Sequence, residues 1–571
     1  MRVRPILALS LVAVTLTSAA PPPAPAEPQV RFDHRGPSPV RCRVGREDRD
    51  ITVTSGRVRK SAGNYYAPAP PPMAEQSRIA PPGIVAPSPI MQSHIPREEN
   101  RERYDGREVA SIQSVADQPV STFSVDVDTG SYANVRRFLA GGKLPPADAV
   151  RTEEMLNYFR YDYPRPADRA QPFNVALQTA RTPWNPDTRL LRIGLRGYDV
   201  TGDTRPAANL VFLVDVSGSM SSDDKLPLVK SALMALADRL TPKDRVSIVV
   251  YAGAAGVVLD PTSDKAYVKQ ALDCLDAGGS TAGGEGIALA YATARANFRE
   301  GGINRIFLAT DGDFNVGVTD NKALEELVKR NRDAGITLTT LGFGTGNYNE
   351  ALMERIADVG NGNYAYIDSA MESQKVLDDE LSATLVTIAK DVKIQVEFNP
   401  TQVSEYRLIG YENRALAEED FANDAVDAGD VGAGHQVTAL YELVPAGGKG
   451  WLPERRYADN RRPTPDARTG ELGIVKLRYK LPDGTTSRLI EIPVQGDMLR
   501  TAAVPSGDMA FAAAVAAFGQ KLRGDKYLGG YSYADIRSLA GEPRGYWRQE
   551  FVKLARLAES QSPPTRLGAT D

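Results

Sequence analysis

The stretch Phe212 to Met220 reads FLVDVSGSM, an apolar run that closes on Asp215, Ser217 and Ser219 at alternate positions. Two other stretches offer the same kind of group. Thr281 stands in the glycine-rich GGSTAGGEG, and RIFLAT runs directly into Thr310-Asp311-Gly312-Asp313. Asp215, Ser217, Ser219, Thr281 and Asp311 thus present carboxylates and hydroxyls, with neither sulfur nor imidazole among them. Such a donor set suits a hard cation, above all Mg²⁺ with retained waters, with Mn²⁺ and Ca²⁺ as alternatives. Because few of the donors carry charge, a bound ion would keep positive charge to attract an anion. The Ser/Gly/Asp cluster taken alone reads equally well as a turn and helix cap.

A fold must bring these stretches together. LVFLVD, RVSIVVY, RIFLAT and ITLTTLGFG are short β-rich runs, mostly apolar on both faces. Between them lie helical patterns such as Leu226, Val229, Leu233, Leu236 and Leu240, spaced by three and four. Doubly buried runs alternating with amphipathic helices predict an α/β, doubly wound, mostly parallel sheet covered on both faces, over about 205–390. In such sheets ligands bind beyond the carboxyl ends of the strands, where strand order reverses. Asp215, Thr281 and Asp311 are expected at that edge, on three converging loops.

D-x-S-x-S, then a Thr in a Gly-rich loop, then T-D-G after a strand resembles the metal-ion-dependent adhesion site of von Willebrand factor type A (VWA) domains. The resemblance implies that Ser217, Ser219 and Thr281 coordinate an ion through hydroxyls, with Asp215 and Asp311 acting directly or through water. It also implies that an Asp or Glu of a protein partner completes the coordination. The flanking SVDVDTGSYANVRRFL, EEMLNYFRYDYP and NYNEALMERIADVGNGNYAYID look like a bacterial exported subfamily. Some relatives in that group are lipoproteins, yet no Cys stands at the cleavage site here.

The chain is too long for a single core at 571 residues. Arg2 and Arg4, the apolar Pro5 to Leu16 and the small residues Thr17 to Ala20 read as a signal peptide over 1–20. The Pro-rich 21–105 reads as a disordered tether, with a short ordered patch near Val40 to Val53. Residues 106–204 form an N-terminal flank of helices and strands, including a helix over RTEEMLNYFRYDYP and a helix after Asp128 or Thr129 as N-cap. Residues 391–500 read as β-rich and 501–571 as helical. Strand patterns at Asn174 to Gly197 and at Val392 to Phe398 predict one β-rich body with the α/β unit inserted into it. No stretch beyond the signal segment is long and apolar enough to span a bilayer. Cys42 and Cys274 are expected to be buried or idle thiols.

A net charge of -4 excludes a field-driven nucleic-acid binder. Asp128-Thr129-Gly130-Ser131 lacks the second D-T-G that an aspartic protease needs, and a helix cap explains it. The glycines around Thr281 lack the Lys of a P-loop. His34, His94 and His435 are too scattered for a zinc site or a catalytic triad. The expectation is a non-enzymatic, divalent-metal-dependent recognition module, exported to the periplasm or envelope or secreted. The alternatives are a structural part of an envelope assembly and a metal-dependent hydrolase. The partner's identity and the oligomeric state are not written in the sequence.

Overall fold

The computed structural model describes residue 40 and residues 102–562, apart from 168, 201–203, 282, 313–320, 347, 378–384 and 454–469. The expected signal peptide, Cys42 and nearly all of the expected tether lie outside the described residues.

Six strands form the α/β sheet, in the spatial order Tyr364–Ile367, Thr337–Phe343, Ile303–Thr310, Ala208–Asp215, Arg245–Tyr251, Ala255–Thr262. All neighbours run parallel except the last, an antiparallel edge. The central strand shows why its sequence is apolar throughout. Leu210, Phe212 and Val214 enter the core on one face, with Val229, Leu233 and Leu236 of the helix Leu226–Asp238. Val211 and Leu213 enter the core on the other, against Ile287 and Tyr291 of the helix Gly283–Ala296. Alternate side chains therefore face two helical layers, so neither face can be polar. The chain leaves Asp215 toward Arg245–Tyr251 on one side while Ile303–Thr310 lies on the other. The crevice at the ends of Asp215 and Thr310 is the point where strand order reverses.

The flanks close into one body around this insertion. Arg189–Gly197 pairs antiparallel with Gln436–Pro445, Leu195 opposite Val437, although the whole α/β unit lies between them in sequence. Thr387–Phe398 pairs with both Val120–Ser124 and Glu471–Lys480 in a second sheet. The expected partners, Asn174 to Gly197 and Val392 to Phe398, fall in different sheets. They meet face to face, with Leu191, Ile193 and Leu195 sharing a core with Ile394, Val396 and Leu477. The C-terminal helices are not a region apart. Every residue from Met509 to Gln520 of the helix Gly507–Arg523 is buried, packed with Tyr158 and Phe159 of the N-terminal flank.

Several local expectations are corrected. The helix expected over RTEEMLNYFRYDYP spans only Thr152–Asn157. Tyr158, Phe159, Tyr161 and Tyr163 are all buried, and a chain that leaves the helix after Asn157 delivers all four rings into the core. The end of the expected tether is docked. Glu102 forms a forked pair with Arg137 at 3.0 and 3.1 Å, and Arg103 exchanges backbone hydrogen bonds with Tyr348 and Glu350. The charged REENRERYDG hides this, because its anchor is an arginine far along the chain. Val40 packs against the α/β core. Cys274 is disulfide-bonded and not an idle thiol; the chain's other cysteine, Cys42, lies outside the described residues. Thr129 is the N-cap of Gly130–Ala140, but Asp128 does not serve the cap. Its carboxylate accepts from the Tyr364 amide at 2.8 Å and pairs with Arg414, tying the flank to the edge strand of the α/β sheet. His435 is buried, its Nδ1 accepting from the Gly432 amide at 3.2 Å.

Candidate metal centre

Asp215 is the last residue of the central strand and is wholly buried. Its Oδ1 accepts the Ser217 amide at 2.9 Å and its Oδ2 accepts the Thr310 hydroxyl at 2.9 Å. The carboxylate is thereby fixed in rotation, and the Ser217 hydroxyl also hydrogen-bonds to it. Thr310 in turn accepts the Gly312 amide at 3.1 Å, which folds the T-D-G loop beneath Asp215. Gly312 has φ +84°, and a β-carbon there would lie 2.6 Å from the Asn349 amide nitrogen. Only glycine makes this turn without displacing Asp311, which is itself wholly buried.

The third loop is pinned by its backbone. The Gly278 amide donates to the Val216 carbonyl at 2.7 Å, and the Gly218 amide donates to the Gly279 carbonyl at 3.0 Å. Thr281 follows at once and is buried, whereas Ser219 is exposed. The structure thus carries Asp215, Ser217, Ser219, Thr281 and Asp311 on three loops at one sheet edge, with Ser219 on the open side. Asp313 lies outside the described residues.

The Ser217 and Ser219 hydroxyl oxygens stand 3.0 Å apart. They share a hydrogen bond, and the same separation would suit adjacent ligands of an octahedral ion with bonds of about 2.1 Å. Among the described residues no group of three or more His, Cys, Asp or Glu could hold a metal ion. The donors at this edge are two carboxylates and three hydroxyls, all oxygen, which is the chemistry of a hard-cation site. Burial pushes the Asp215 carboxyl up to about 6, against the Ser217 hydrogen bonds that favour its charge, and the nearby Asp311 charge adds to the rise. A cation held nearby offsets that cost.

Two participants were not legible from residue types. Thr310 orients Asp215, and Lys225 places Nζ 3.0 Å from Asp311 Oδ2 while almost fully buried. The position of Lys225 in the fold explains its need for that partner. It is the N-cap of the helix Leu226–Asp238, where a cation opposes the helix dipole and so needs an anion elsewhere.

Comparison with known proteins divides the chain along the same lines. Family models match at 98–192 ("von Willebrand factor"), 209–380 ("von Willebrand factor type A domain") and 383–561 ("Uncharacterized protein YfbK, C-terminal"). Protein YfbK of Escherichia coli (strain K12) is 50% identical over 470 residues, covering 80% of this chain and 81% of that one. Protein sll0103 of Synechocystis sp. is 35% identical over 187 residues, 32% of this chain and 43% of that one. Among solved structures, a von Willebrand factor type A protein from Catenulispora acidiphila is 16% identical with a TM-score of 0.36, covering 70% of this chain and 91% of that one.

Proposed function

The chain belongs to the YfbK family and carries a VWA domain, a type of module associated with protein–protein recognition; from that premise we propose that it captures a protein partner at the cell envelope through a divalent cation. Asp215, Ser217, Ser219, Thr281 and Asp311 would hold the ion. When bound, the ion supplies an electrophilic centre that a partner's Asp or Glu can ligate. The residues of the chain do the rest. Thr310 and the Ser217 amide fix the Asp215 carboxylate, and the buried donors exclude water from one side. Ser219 leaves the other side open to a ligand. No chemical step is required of any residue, and the reading is non-enzymatic. The amino-terminal Arg2, Arg4 and apolar run support export, with the metal site working outside the cytoplasm.

The observation that carries this reading is the pairing of buried, pre-oriented carboxylates with hydroxyls at octahedral spacing on the strand-reversal edge. Calorimetry with Mg²⁺, Mn²⁺ and Ca²⁺, alongside pull-down from envelope extracts with and without EDTA, tests it. Binding of at least one of these ions and chelator-sensitive capture restored by that ion are expected. A chain that binds none of the three, or a capture indifferent to EDTA, overturns the reading.

A further inference from the structure

The chain itself supplies a cation at the candidate metal centre. Lys225 Nζ lies 3.0 Å from Asp311 Oδ2, with the lysine side chain 8% exposed and the aspartate 0%. Its path to that position is built. Gly344, at φ +75°, lies against the alkyl stem, where a β-carbon would come within 2.3 Å of both Cγ and Cε. The missing side chain at Gly344 opens the channel through which the ammonium reaches the site. The helix dipole works against a lysine at this N-cap position, so Asp311 must offset that cost as well as the desolvation.

We propose that Lys225 is a built-in counter-cation that competes with the divalent ion for Asp311 and thereby sets the threshold at which the site fills. The proposal rests on the metal-binding reading above. Its consequence follows from charge. Asp215 and Asp311 ionised, with Lys225, leave the empty site close to balance, so the fold does not need the ion. A divalent ion arriving beside Lys225 brings an excess of positive charge, which a partner's carboxylate cancels. With Lys225 neutralised, Asp215 and Asp311 alone match the ion, and the demand for an outside carboxylate falls. Lys225 therefore weakens the bare ion and favours joint binding of ion and anionic partner.

Lys225→Met keeps the stem and deletes the charge, and Lys225→Gln provides a second neutral variant. Titration of the full chain with Mg²⁺ and Mn²⁺ by calorimetry, together with melting in the absence and presence of Mg²⁺, reads the effect. Loss of one charge at contact distance is expected to tighten ion binding by about ten-fold or more. The neutral variants should melt lower than the parent without the ion, and the ion should raise their melting temperature by more than it raises the parent's. A purely structural lysine would give the lower melt without tighter binding, which overturns the inference while leaving the metal site standing. Equal or weaker ion affinity in both variants does the same, as does failure of both to fold even with Mg²⁺ present. If the parent and both variants all bind no ion, the metal reading and this inference fall together. If only the variants bind, Lys225 excludes the ion outright, and both the metal reading of the native chain and the threshold role fall.

Discussion

At the candidate centre Asp215 is a buried carboxylate and Ser219 an exposed hydroxyl. Their removal should therefore differ in kind. Asp215→Ala deletes charge that no water can replace and is expected to abolish Mg²⁺ binding and partner capture. The strand beneath is apolar, so circular dichroism should show the fold retained. Ser219→Ala should weaken binding by roughly ten-fold or less, since a water can take the place of one hydroxyl. Calorimetry on the two variants separates them, and equal losses would contradict the assigned roles. Gly312→Ala tests the loop itself. Positive φ and the contact with the Asn349 amide predict a loss of about 1–3 kcal/mol in urea unfolding, with weaker ion binding as Asp311 shifts. Asp215, Ser217, Ser219 and Asp311 stand out in the sequence because their oxygens follow apolar runs, and Thr281 because it stands in a glycine-rich turn before a helix. The structure brings these loops to one sheet edge. Lys225 does not stand out, because its partner lies 86 residues away and nothing local shows that the two meet.

Elements were legible where the hydrophobic period was long and clean. The runs of the α/β sheet each became a strand, and AFAAAVAAFGQKL and YWRQEFVKLARLAE became the helices Gly507–Arg523 and Tyr546–Gln561. The helix Thr152–Asn157 is shorter than its pattern implies because helical spacing and an aromatic cluster overlap there, and core packing decides between them. Which elements touch was harder to read. An alanine-rich helix buried all round has to lie in the middle of something, but its partners come from the far end of the chain. Phe551 marks that junction. It is wholly buried, with its ring centre 5.3 Å from Phe511, 5.4 Å from Phe518 and 6.0 Å from Phe159. Phe551→Ala should cost about 3–5 kcal/mol in chemical denaturation. If the C-terminal helices were an independent unit, the loss would appear as a separate early transition. A single transition shifted as a whole is expected, because one core spans both ends of the chain.

At the scale of the molecule, the inserted α/β unit is held to its scaffold by buried charge. Arg414 meets Asp126, Asp128 and Glu354 at 3.3 Å each and Asp358 at 2.7 Å. Arg151 meets Glu154 at 3.1 Å and Glu350 at 3.8 Å, and also pairs with Glu354. Carboxylates outnumber guanidinium groups here, so some are held in their neutral form. Burial pushes Asp128 and Glu154 well above the ordinary range, with neighbouring carboxylates adding to the rise against the pull of the arginines. Burial likewise lifts Glu350 from 4.5 to about 7, although Arg151 pulls it down. Glu153 rises to about 7 through burial and the charge of Glu412, and Asp430 rises to about 7 through burial. The sign follows from proton linkage. Between the unfolded value near 4.5 and the folded value near 7, the native state binds more protons than the unfolded chain. Stability therefore falls as pH rises through that window and is greatest at its acid end. Groups of the opposite kind limit the gain. At Asp244, burial raises the pKa, but Arg205 and Thr241 draw it below its ordinary 3.8, and its contribution is lost in stronger acid. The melting temperature should accordingly rise from about pH 8 to about pH 5 and drop below about pH 4. Glu350→Gln imitates the protonated side chain. It should melt above the parent near pH 8, with the difference closing by pH 5. A parent whose melting temperature climbs with pH across 5 to 8 would mean that the carboxylates are ionised and paired throughout, and that the junction carries no surplus of acid.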